Sequence, residues 1–149
     1  MGVDIKVKNN SLLINRPEHY KAINVKTLVF PGFATDLGQP MSVLLTQADG
    51  MSIFEETIYE NRMGHIKYLQ KMGANIRVND RTAIIVGKTP LKGEEVTATD
   101  LRAGAAMVIA GLIAKGTTKV NETEHILRGY ENIVEKLTGV GADITIKED

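Results

Sequence analysis

Short segments that alternate apolar and polar residues predict two β-hairpins. Residues Ile5–Val7 alternate, residues 8–11 are polar, and Leu12–Ile14 is apolar again. The same order returns in Ile76–Val78 and Thr82–Val86, which are separated by a polar turn. Alternation with a period of two is typical of a strand that buries one face. Each pair of segments is therefore predicted to fold back on itself as a hairpin.

The stretch between the two hairpins carries the apolar spacing of helices. Asp36 is predicted to cap a helix that runs to about Ala48 and ends at Gly50, because an aspartate side chain can accept hydrogen bonds from the first free amides. Residues 52–56 alternate like a strand, and residues 64–72 are predicted to form a second helix.

The stretch after the second hairpin follows the same plan. Asp100 is predicted to cap a helix through Ala114, and the many alanines and glycines of residues 103–111 favour close packing of this helix on its neighbours. Thr117–Val120 is predicted to be a strand and Tyr130–Leu137 a helix.

Short motifs recur along the chain at a spacing of about 64 to 71 residues. Thr35–Leu37 returns as Thr99–Leu101, and the tetrad Gly2–Ile5 returns as Gly73–Ile76 and Gly141–Ile144. Such repetition indicates units that stack to share a core. We therefore predict an α/β fold of repeated helix-strand-helix-hairpin units in one partial domain over 1–149. The predicted repeat boundaries lie near 1–30 (a hairpin remnant), 31–95 and 96–149.

The third tetrad extends this prediction to the last residues of the chain. By analogy with the two hairpins, Ile144–Ile146 is expected to begin the same kind of strand. The first unit is expected to lack its helices, because the chain opens on the hairpin that should follow them.

Composition removes several classes of function. The 18 basic and 18 acidic side chains give a net charge of zero, which argues against a nucleic-acid partner. There is no cysteine, so disulfides, thiolate metal sites and a cysteine nucleophile within this chain are excluded. No apolar run has the length of a membrane span or a signal peptide, and a soluble cytoplasmic protein is expected.

Two aspartates occupy equivalent positions at predicted helix starts. For a lone Asp36 or Asp100 the simplest interpretation is a helix cap. The approach to Asp36, residues 30–35, is an apolar loop with Pro and Gly that is more elaborate than a cap requires. Such a loop could hold a carboxylate in a desolvated cleft, where a raised pKa would suit a general base.

Three arginines could gather near these aspartates. Arg62 and Arg128 precede equivalent helices, while Arg102 lies in a first helical turn, where a positive charge opposes the helix dipole. Each could equally be a surface arginine. If the repeats bring equivalent ends together, the guanidinium groups would suit a small polyanion beside a hydroxyl group that loses a proton.

Metal and cofactor sites are not predicted. His19, His65 and His125 have no ligand spacing between them and are expected at helix starts or on the surface. Glycine-rich phosphate loops are absent from the sequence.

Four ordered blocks together resemble the enolpyruvyl transferases, and most closely the branch that acts on UDP-N-acetylglucosamine. The blocks are Pro31–Asp36, Glu60–Arg62, Ala98–Ala103 and His125–Glu131. The resemblance covers essentially all 149 residues and implies the inside-out α/β barrel domain of that family.

The resemblance also implies an activity. The family transfers enolpyruvyl from phosphoenolpyruvate to the 3-hydroxyl of the UDP-N-acetylglucosamine sugar and releases phosphate, the first committed step of peptidoglycan synthesis. Asp36 matches the aspartate proposed as the catalytic base, Ile58 a contact to the UDP-sugar, and Arg128 a contact to phosphoenolpyruvate. Other charged substrate-binding positions of the cleft are matched by Arg62, Asp100 and Arg102.

The resemblance is to the C-terminal third of the family only. The N-terminal domain, with its mobile loop that protonates the methylene group, has no counterpart here, so the chain alone is expected to be inactive and to need that domain. Exposed apolar faces could cause self-association. Two alternatives stay open: a non-catalytic repeat module, and a relative that acts on shikimate 3-phosphate.

Overall fold

The computed structural model describes residues 1–147 and contains nine strands and five α-helices in that range. The strands are β1 (Asp4–Lys8), β2 (Ser11–Asn15), β3 (Tyr20–Lys21), β4 (Asn24–Lys26), β5 (Ala48–Glu55), β6 (Asn75–Asn79), β7 (Thr82–Gly87), β8 (Glu95–Thr97) and β9 (Lys119–Asn121). The helices are α1 (Gly38–Leu45), α2 (Ile66–Lys71), α3 (Leu101–Ile113), α4 (Glu124–Leu127) and α5 (Ile133–Gly139), and a 3₁₀ turn over Thr35–Leu37 precedes α1. Within residues 1–147, no helix combines the length and the apolar character that crossing a membrane requires.

The central sheet has the strand order β3-β5-β7-β6, and β4 also pairs with β5. Strand β5 runs parallel to β4 and antiparallel to β7. Parallel neighbours need a crossover connection, and α1 supplies it between β4 and β5. The same arrangement returns in β8, α3 and β9, where β8 and β9 are parallel. The two predicted helix-strand units thus have the same type of crossover: a helix joins two parallel strands in each.

The core lies between this sheet and the helices α1, α2 and α3. Its largest fully buried apolar side chains are Val43, Leu45, Phe54, Ile66, Leu69, Met72, Ile85, Leu91, Val96 and Met107. Helix α3 is built for close contact, as its composition predicted. A Cβ atom on Gly104 would lie 2.4 Å from the side chain of Ile126, so α4 packs directly on the α3 backbone at this glycine.

Both predicted hairpins are confirmed, as β1–β2 and β6–β7. The predicted strand at Ile144–Ile146 is wrong, because this segment has no regular secondary structure. In the preceding unit, β6 is held by backbone hydrogen bonds to β7. No strand within residues 1–147 lies beside Ile144–Ile146 in that way, so a strand there would have no ladder to join.

Some predicted helix boundaries were wrong. Helix α1 ends at Leu45, and Ala48 and Gly50 already belong to β5, where Ala48 is fully buried and pairs with β3. Helix α5 begins at Ile133 and not at Tyr130, because the backbone at Asn132 is left-handed, with φ of 50°, and interrupts the helix.

The two predicted aspartate caps have different outcomes. The Asp100 cap is confirmed: its Oδ1 accepts hydrogen bonds from the amides of Arg102 at 2.8 Å and Ala103 at 3.0 Å. The Asp36 cap is wrong, because Asp36 lies inside the 3₁₀ turn, and its carboxylate is bound to two arginine side chains.

His65 lies at the start of α2, as expected, but it is buried and not on the surface. Its ring is 1% exposed, and Nε2 lies 2.7 Å from the Ser42 hydroxyl oxygen. That hydroxyl donates to the Gln39 carbonyl at 2.6 Å, so we assign the Nε2 proton to His65 as the donor to Ser42. Burial lowers the pKa of His65 from 6.5 to about 4, so the ring is neutral in the folded protein at pH 7.

The neutral His65 makes folding stability depend on pH. Between pH 6.5 and 4 the unfolded chain binds a proton at this ring and the folded chain does not, so stability is full above pH 6.5 and falls as the pH drops toward 4. The loss is about 3 kcal/mol across this window. Urea unfolding at a series of pH values measures it. His65→Gln should remove this slope, whereas His19→Gln, a change at an exposed histidine, should keep it; an unchanged slope in His65→Gln would contradict the assignment.

Candidate functional site

Asp36 lies between two arginine side chains that come from different elements. Its Oδ1 accepts hydrogen bonds from Arg62 Nη1 and Arg102 Nε, each at 2.8 Å. Its Oδ2 accepts from Arg102 Nη2 at 2.9 Å, so Arg102 holds the carboxylate with both arms of its fork. Asp36 comes from the turn before α1, Arg62 from the loop before α2, and Arg102 from the first turn of α3. Three segments that are distant in sequence therefore converge here.

The buried side chain of Glu56 holds the two loops that carry Asp36 and Arg62. It is 2% exposed, and its Oε1 accepts hydrogen bonds from Thr27 Oγ1 at 2.8 Å, Ile58 N at 2.8 Å and Tyr59 N at 3.1 Å. Its Oε2 accepts from Thr35 Oγ1 at 2.7 Å. A buried charge is tolerated only when such donors surround it. Glu56 therefore joins the loop before α1 to the loop after β5.

Thr35 connects the buried carboxylate to the exposed one. Its Oγ1 donates to Glu56 and accepts from Arg62 Nη1 at 2.8 Å, and the same Nη1 donates to Asp36. We call Thr35, Asp36, Glu56, Arg62 and Arg102 the charged cluster. Its hydrogen bonds run without interruption from the buried Glu56 to the exposed fork of Arg102.

The electrostatics of Asp36 differ from the sequence-based expectation. The hydrogen bond from Arg102, and then that from Arg62, lower the pKa of Asp36 from 3.8 to about 2, and these effects outweigh the opposing effect of burial. The side chain is 54% exposed. The expectation that an apolar cleft raises the pKa was therefore wrong. The stability that the Asp36 carboxylate contributes is full above pH 3.8 and is lost as the pH falls through about 2.

Glu56 also remains ionised. Burial acts to raise its pKa, but the hydrogen bonds from Thr35, Ile58, Thr27 and Tyr59 outweigh burial, and the pKa of Glu56 lies below its usual 4.5. Both carboxylates of the charged cluster are therefore negative at neutral pH.

The loop that carries Arg62 borders an open depression. The Arg62 guanidinium stacks 4.0 Å from the Tyr59 ring centroid, and its side chain is only 17% exposed. The depression has a volume of about 460 Å³. It is lined by Ile58, Tyr59, Glu60, Asn61, Arg62 and Arg81. Ile58, the sequence-based contact to a UDP-sugar, thus lies on the rim of a concave surface beside the charged cluster.

Asp100 and Arg128 lie apart from the hydrogen bonds around Asp36. The Asp100 carboxylate is used by the α3 amides, and it fixes the helix turn that carries Arg102. Arg128 follows the last residue of α4, and its backbone amide donates to the Glu124 carbonyl at 3.2 Å. Its side chain is exposed and forms no hydrogen bond or ion pair with residues 1–147. A Cβ atom on Gly129 would lie 2.5 Å from Leu101, which places the end of α4 against the start of α3.

Three residues of the site were not found from the sequence. Thr35 had a signal, since the Thr-Asp pair recurs at residues 99–100. Glu56 and Tyr59 had none, because a glutamate at the end of a strand is ordinarily exposed. Both carboxylates of the charged cluster accept hydrogen bonds from arginine, threonine or backbone donors. Elsewhere in residues 1–147, ligand atoms of Glu122, Glu124 and His125 lie within 4.8 Å of one another, as exposed acidic groups commonly do without an ion.

The family model described as EPSP synthase (3-phosphoshikimate 1-carboxyvinyltransferase) matches residues 1–137. The chain belongs to this family. Its α/β fold is therefore the fold of the enolpyruvyl transferases, as the sequence blocks indicated.

Curated relatives place the chain within this family. UDP-N-acetylglucosamine 1-carboxyvinyltransferase 2 of Listeria monocytogenes serovar 1/2a is 50% identical over 145 residues, which are 97% of this chain and 34% of that protein. The protein of the same name from Geobacillus kaustophilus is 50% identical over 144 residues, with the same coverage of both chains. The chain thus spans about a third of the length of the curated relatives it matches.

Solved structures share the fold. The enolpyruvyl transferase NikO from Streptomyces tendae superposes with a TM-score of 0.90 at 28% identity, over 97% of this chain and 34% of that one. EPSP synthase from Acinetobacter baumannii superposes with a TM-score of 0.66 at 21% identity, over 99% and 35% of the two chains.

Glu56→Gln tests the anchor of the charged cluster. The change replaces one carboxylate oxygen, a charged acceptor, with an NH₂ group that faces hydrogen-bond donors. We therefore expect the free energy of unfolding to fall by about 3 kcal/mol. Chemical denaturation measures it. Glu55→Gln is the matched control, because the Glu55 side chain is 42% exposed and, among residues 1–147, its carboxylate pairs only with Lys26, a contact worth less than about 1 kcal/mol. Equal effects of the two changes would refute the role of Glu56.

Arg102→Gln tests what holds the pKa of Asp36 down. Removal of the hydrogen bond that lowers this pKa most should raise it from about 2 toward 3.8. Carboxyl ¹³C NMR titration of Asp36 reads the shift directly. Arg77→Gln, a change on the exposed face of β6, should leave it where it is; if Arg102→Gln also leaves it there, the two-armed contact does not set the pKa.

Proposed function

We propose that the charged cluster forms part of the cleft in which enolpyruvyl passes from phosphoenolpyruvate to the 3-hydroxyl of UDP-N-acetylglucosamine, with release of phosphate. The single observation that carries the proposal is the contact of Arg102 and Arg62 with one carboxylate beside a concave surface. The names of the relatives at about 50% identity support the choice of the UDP-sugar.

The arginines suit the anionic donor. Phosphoenolpyruvate carries a carboxylate and a phosphate group, and guanidinium forks bind both. The side chain of Arg128 has no partner among residues 1–147 and is free to meet such an anion. Nε and Nη2 of Arg102 hold Asp36, and in this proposal the anionic groups of phosphoenolpyruvate compete with Asp36 for them.

This exchange activates Asp36. With a pKa of about 2, the arginine-bound carboxylate is a weak base. When the donor's anionic groups take Arg102, Asp36 loses the contact that lowers its pKa most, and its affinity for a proton rises. The base becomes effective only when the donor is in place.

The reaction then proceeds by addition and elimination. The sugar oxygen forms a bond to C2 of the enolpyruvyl group while its proton passes to Asp36, and the methylene carbon takes a proton from a donor outside this chain. Elimination restores the double bond as the C2–phosphate oxygen bond breaks and a methyl proton is returned. In this proposal the other family segment, the N-terminal domain, supplies that acid, and the chain alone has no turnover.

On this proposal the protein serves the first committed step of peptidoglycan synthesis, in the cytoplasm. A second candidate acceptor is shikimate 3-phosphate, favoured by the matching family model, which is described as 3-phosphoshikimate 1-carboxyvinyltransferase. A non-catalytic repeat module is a third reading, and the two-armed Arg102–Asp36 contact beside a depression speaks against it.

A chimera tests the proposal. This chain replaces the 145-residue segment that it matches in the Listeria relative, and phosphate release is measured with phosphoenolpyruvate and UDP-N-acetylglucosamine. The chimera should turn over, and Asp36→Asn should lower kcat by about 10²- to 10⁴-fold, the usual contribution of a general base. Asp49→Asn, at an exposed carboxylate bound to His19, is the control and should change little.

Three results would count against the proposal. Full activity of the Asp36→Asn chimera would remove Asp36 as the base. Turnover with shikimate 3-phosphate in place of the UDP-sugar would favour the second acceptor. Phosphate release by the 149-residue chain alone would show that it needs no further segment.

A further inference from the structure

The two arginines that bind Asp36 are held to different degrees. The side chain of Arg62 is 17% exposed and that of Arg102 is 37% exposed. Nη1 of Arg62 donates to Thr35 Oγ1 and to Asp36 Oδ1, each at 2.8 Å. Within residues 1–147, the guanidinium group of Arg102 forms hydrogen bonds with Asp36 alone. Arg62 therefore has a second side-chain acceptor that Arg102 lacks.

Tyr59 holds the guanidinium group of Arg62 from one face. Its ring centroid lies 4.0 Å from the Cζ atom of Arg62. An aromatic face attracts a cation, and the attraction is stronger where water is partly excluded. The Tyr59 backbone is itself fixed, because its amide donates to the buried Glu56 carboxylate at 3.1 Å. The stack therefore ties the tip of Arg62 to the loop that Glu56 holds.

Gln39 holds the backbone of Arg62. The glutamine is 4% exposed, and its Nε2 donates to the Arg62 carbonyl at 3.3 Å. Gln39 belongs to α1, which directly follows the turn that carries Asp36. Arg62 is thus held at its backbone by α1 and at its guanidinium group by Tyr59, so it is the more firmly placed of the two arginines.

The two oxygens of Asp36 depend on different arginines. Oδ1 accepts from Arg62 Nη1 and from Arg102 Nε. Among residues 1–147, Oδ2 accepts only from Arg102 Nη2. Departure of Arg102 therefore leaves Oδ1 with one hydrogen bond and Oδ2 with none. A carboxylate oxygen that has lost its donor holds a proton more strongly than one that keeps it.

We propose that Tyr59 is a positioning residue that keeps Arg62 on Oδ1 of Asp36. When Arg102 leaves, Oδ2 is the free oxygen, and it accepts the proton of the sugar hydroxyl group while the hydroxyl oxygen bonds to C2 of the enolpyruvyl group. This inference rests on the proposed function, which supplies both the anion that draws Arg102 away and the hydroxyl group. Arg62 then orients the base, and Arg102 meets the donor.

Removal of Arg102 imitates that state in the 149-residue chain without substrate. In Arg102→Gln, Arg62 is the arginine that remains on Asp36, and its hydrogen bond still acts to lower the pKa of Asp36. Adding Tyr59→Leu should loosen Arg62 and raise this pKa further. Adding Tyr59→Phe, which keeps the aromatic face, should not. Carboxyl ¹³C NMR titration measures the three pKa values, and Tyr59 is 51% exposed, so both changes should leave the fold intact.

Tyr68→Leu is the matched control for this titration. Lys67 lies 4.8 Å from the Tyr68 ring centroid in a second cation–π pair, which is outside the charged cluster. In the Arg102→Gln background, Tyr68→Leu should leave the pKa of Asp36 unchanged. Equal pKa values with Tyr59→Leu and Tyr59→Phe, or a rise with Tyr68→Leu as large as that with Tyr59→Leu, would overturn the proposal.

The kinetics of the chimera separate positioning of the base from binding of the donor. Tyr59→Leu should lower kcat by about 2- to 30-fold, the range of a cation–π contact expressed as a rate, with the KM for phosphoenolpyruvate unchanged. Tyr59→Phe should restore kcat. Arg102→Gln should raise this KM, because Arg102 meets the donor.

The outcomes distinguish this inference from the proposed function. A Tyr59→Leu chimera with a raised KM for phosphoenolpyruvate and an unchanged kcat would overturn the role of Tyr59 while leaving the reaction in place. A chimera without turnover would count against the proposed function, and the titrations of the 149-residue chain would still decide whether Tyr59 holds Arg62 on Asp36.

Discussion

The buried carboxylate of Glu56 is the constraint on which the geometry of the charged cluster depends. A negative charge at 2% exposure is stable only because four donors from two loops converge on it. Those donors fix the turn that carries Asp36 and the loop that carries Arg62. The exposed ion pairs above are weak by themselves. Their geometry is fixed because the hydrogen bonds to the buried Glu56 hold the loops that carry Asp36 and Arg62.

In the charged cluster the acidic group, Asp36, and the basic groups, Arg62 and Arg102, are paired with each other. Asp36 has a pKa of about 2 because Arg102 and Arg62 hold its carboxylate. A permanently paired carboxylate is a poor base and a permanently paired arginine is a poor anion receptor, so each group restrains the other. An incoming anion that competes for Arg102 would release both functions together. In that account, binding of the donor and activation of the base are one event.

Local patterns predicted the elements and some of the site. Alternation found both hairpins, and the repeated Thr-Asp motif pointed to the Asp36 and Asp100 turns, because short-range spacing decides such features. The pKa of Asp36 could not be predicted, since it depends on Arg102, which lies 66 residues away. The role of Glu56 and the burial of His65 were likewise hidden, because polar residues at these positions are ordinarily exposed. The Ile144–Ile146 strand failed for a related reason: a strand needs a neighbour, and the local pattern does not report one.

The coupling between donor and base can be measured in one titration. In the chimera, the Asp36 carboxyl is followed by ¹³C NMR against pH with and without saturating phosphoenolpyruvate. The account predicts a pKa of about 2 without phosphoenolpyruvate and a rise toward 3.8 or above when it is bound. A pKa that stays at about 2 with the donor bound would show that Arg102 keeps its hold on Asp36, and would contradict the claim that the donor activates the base.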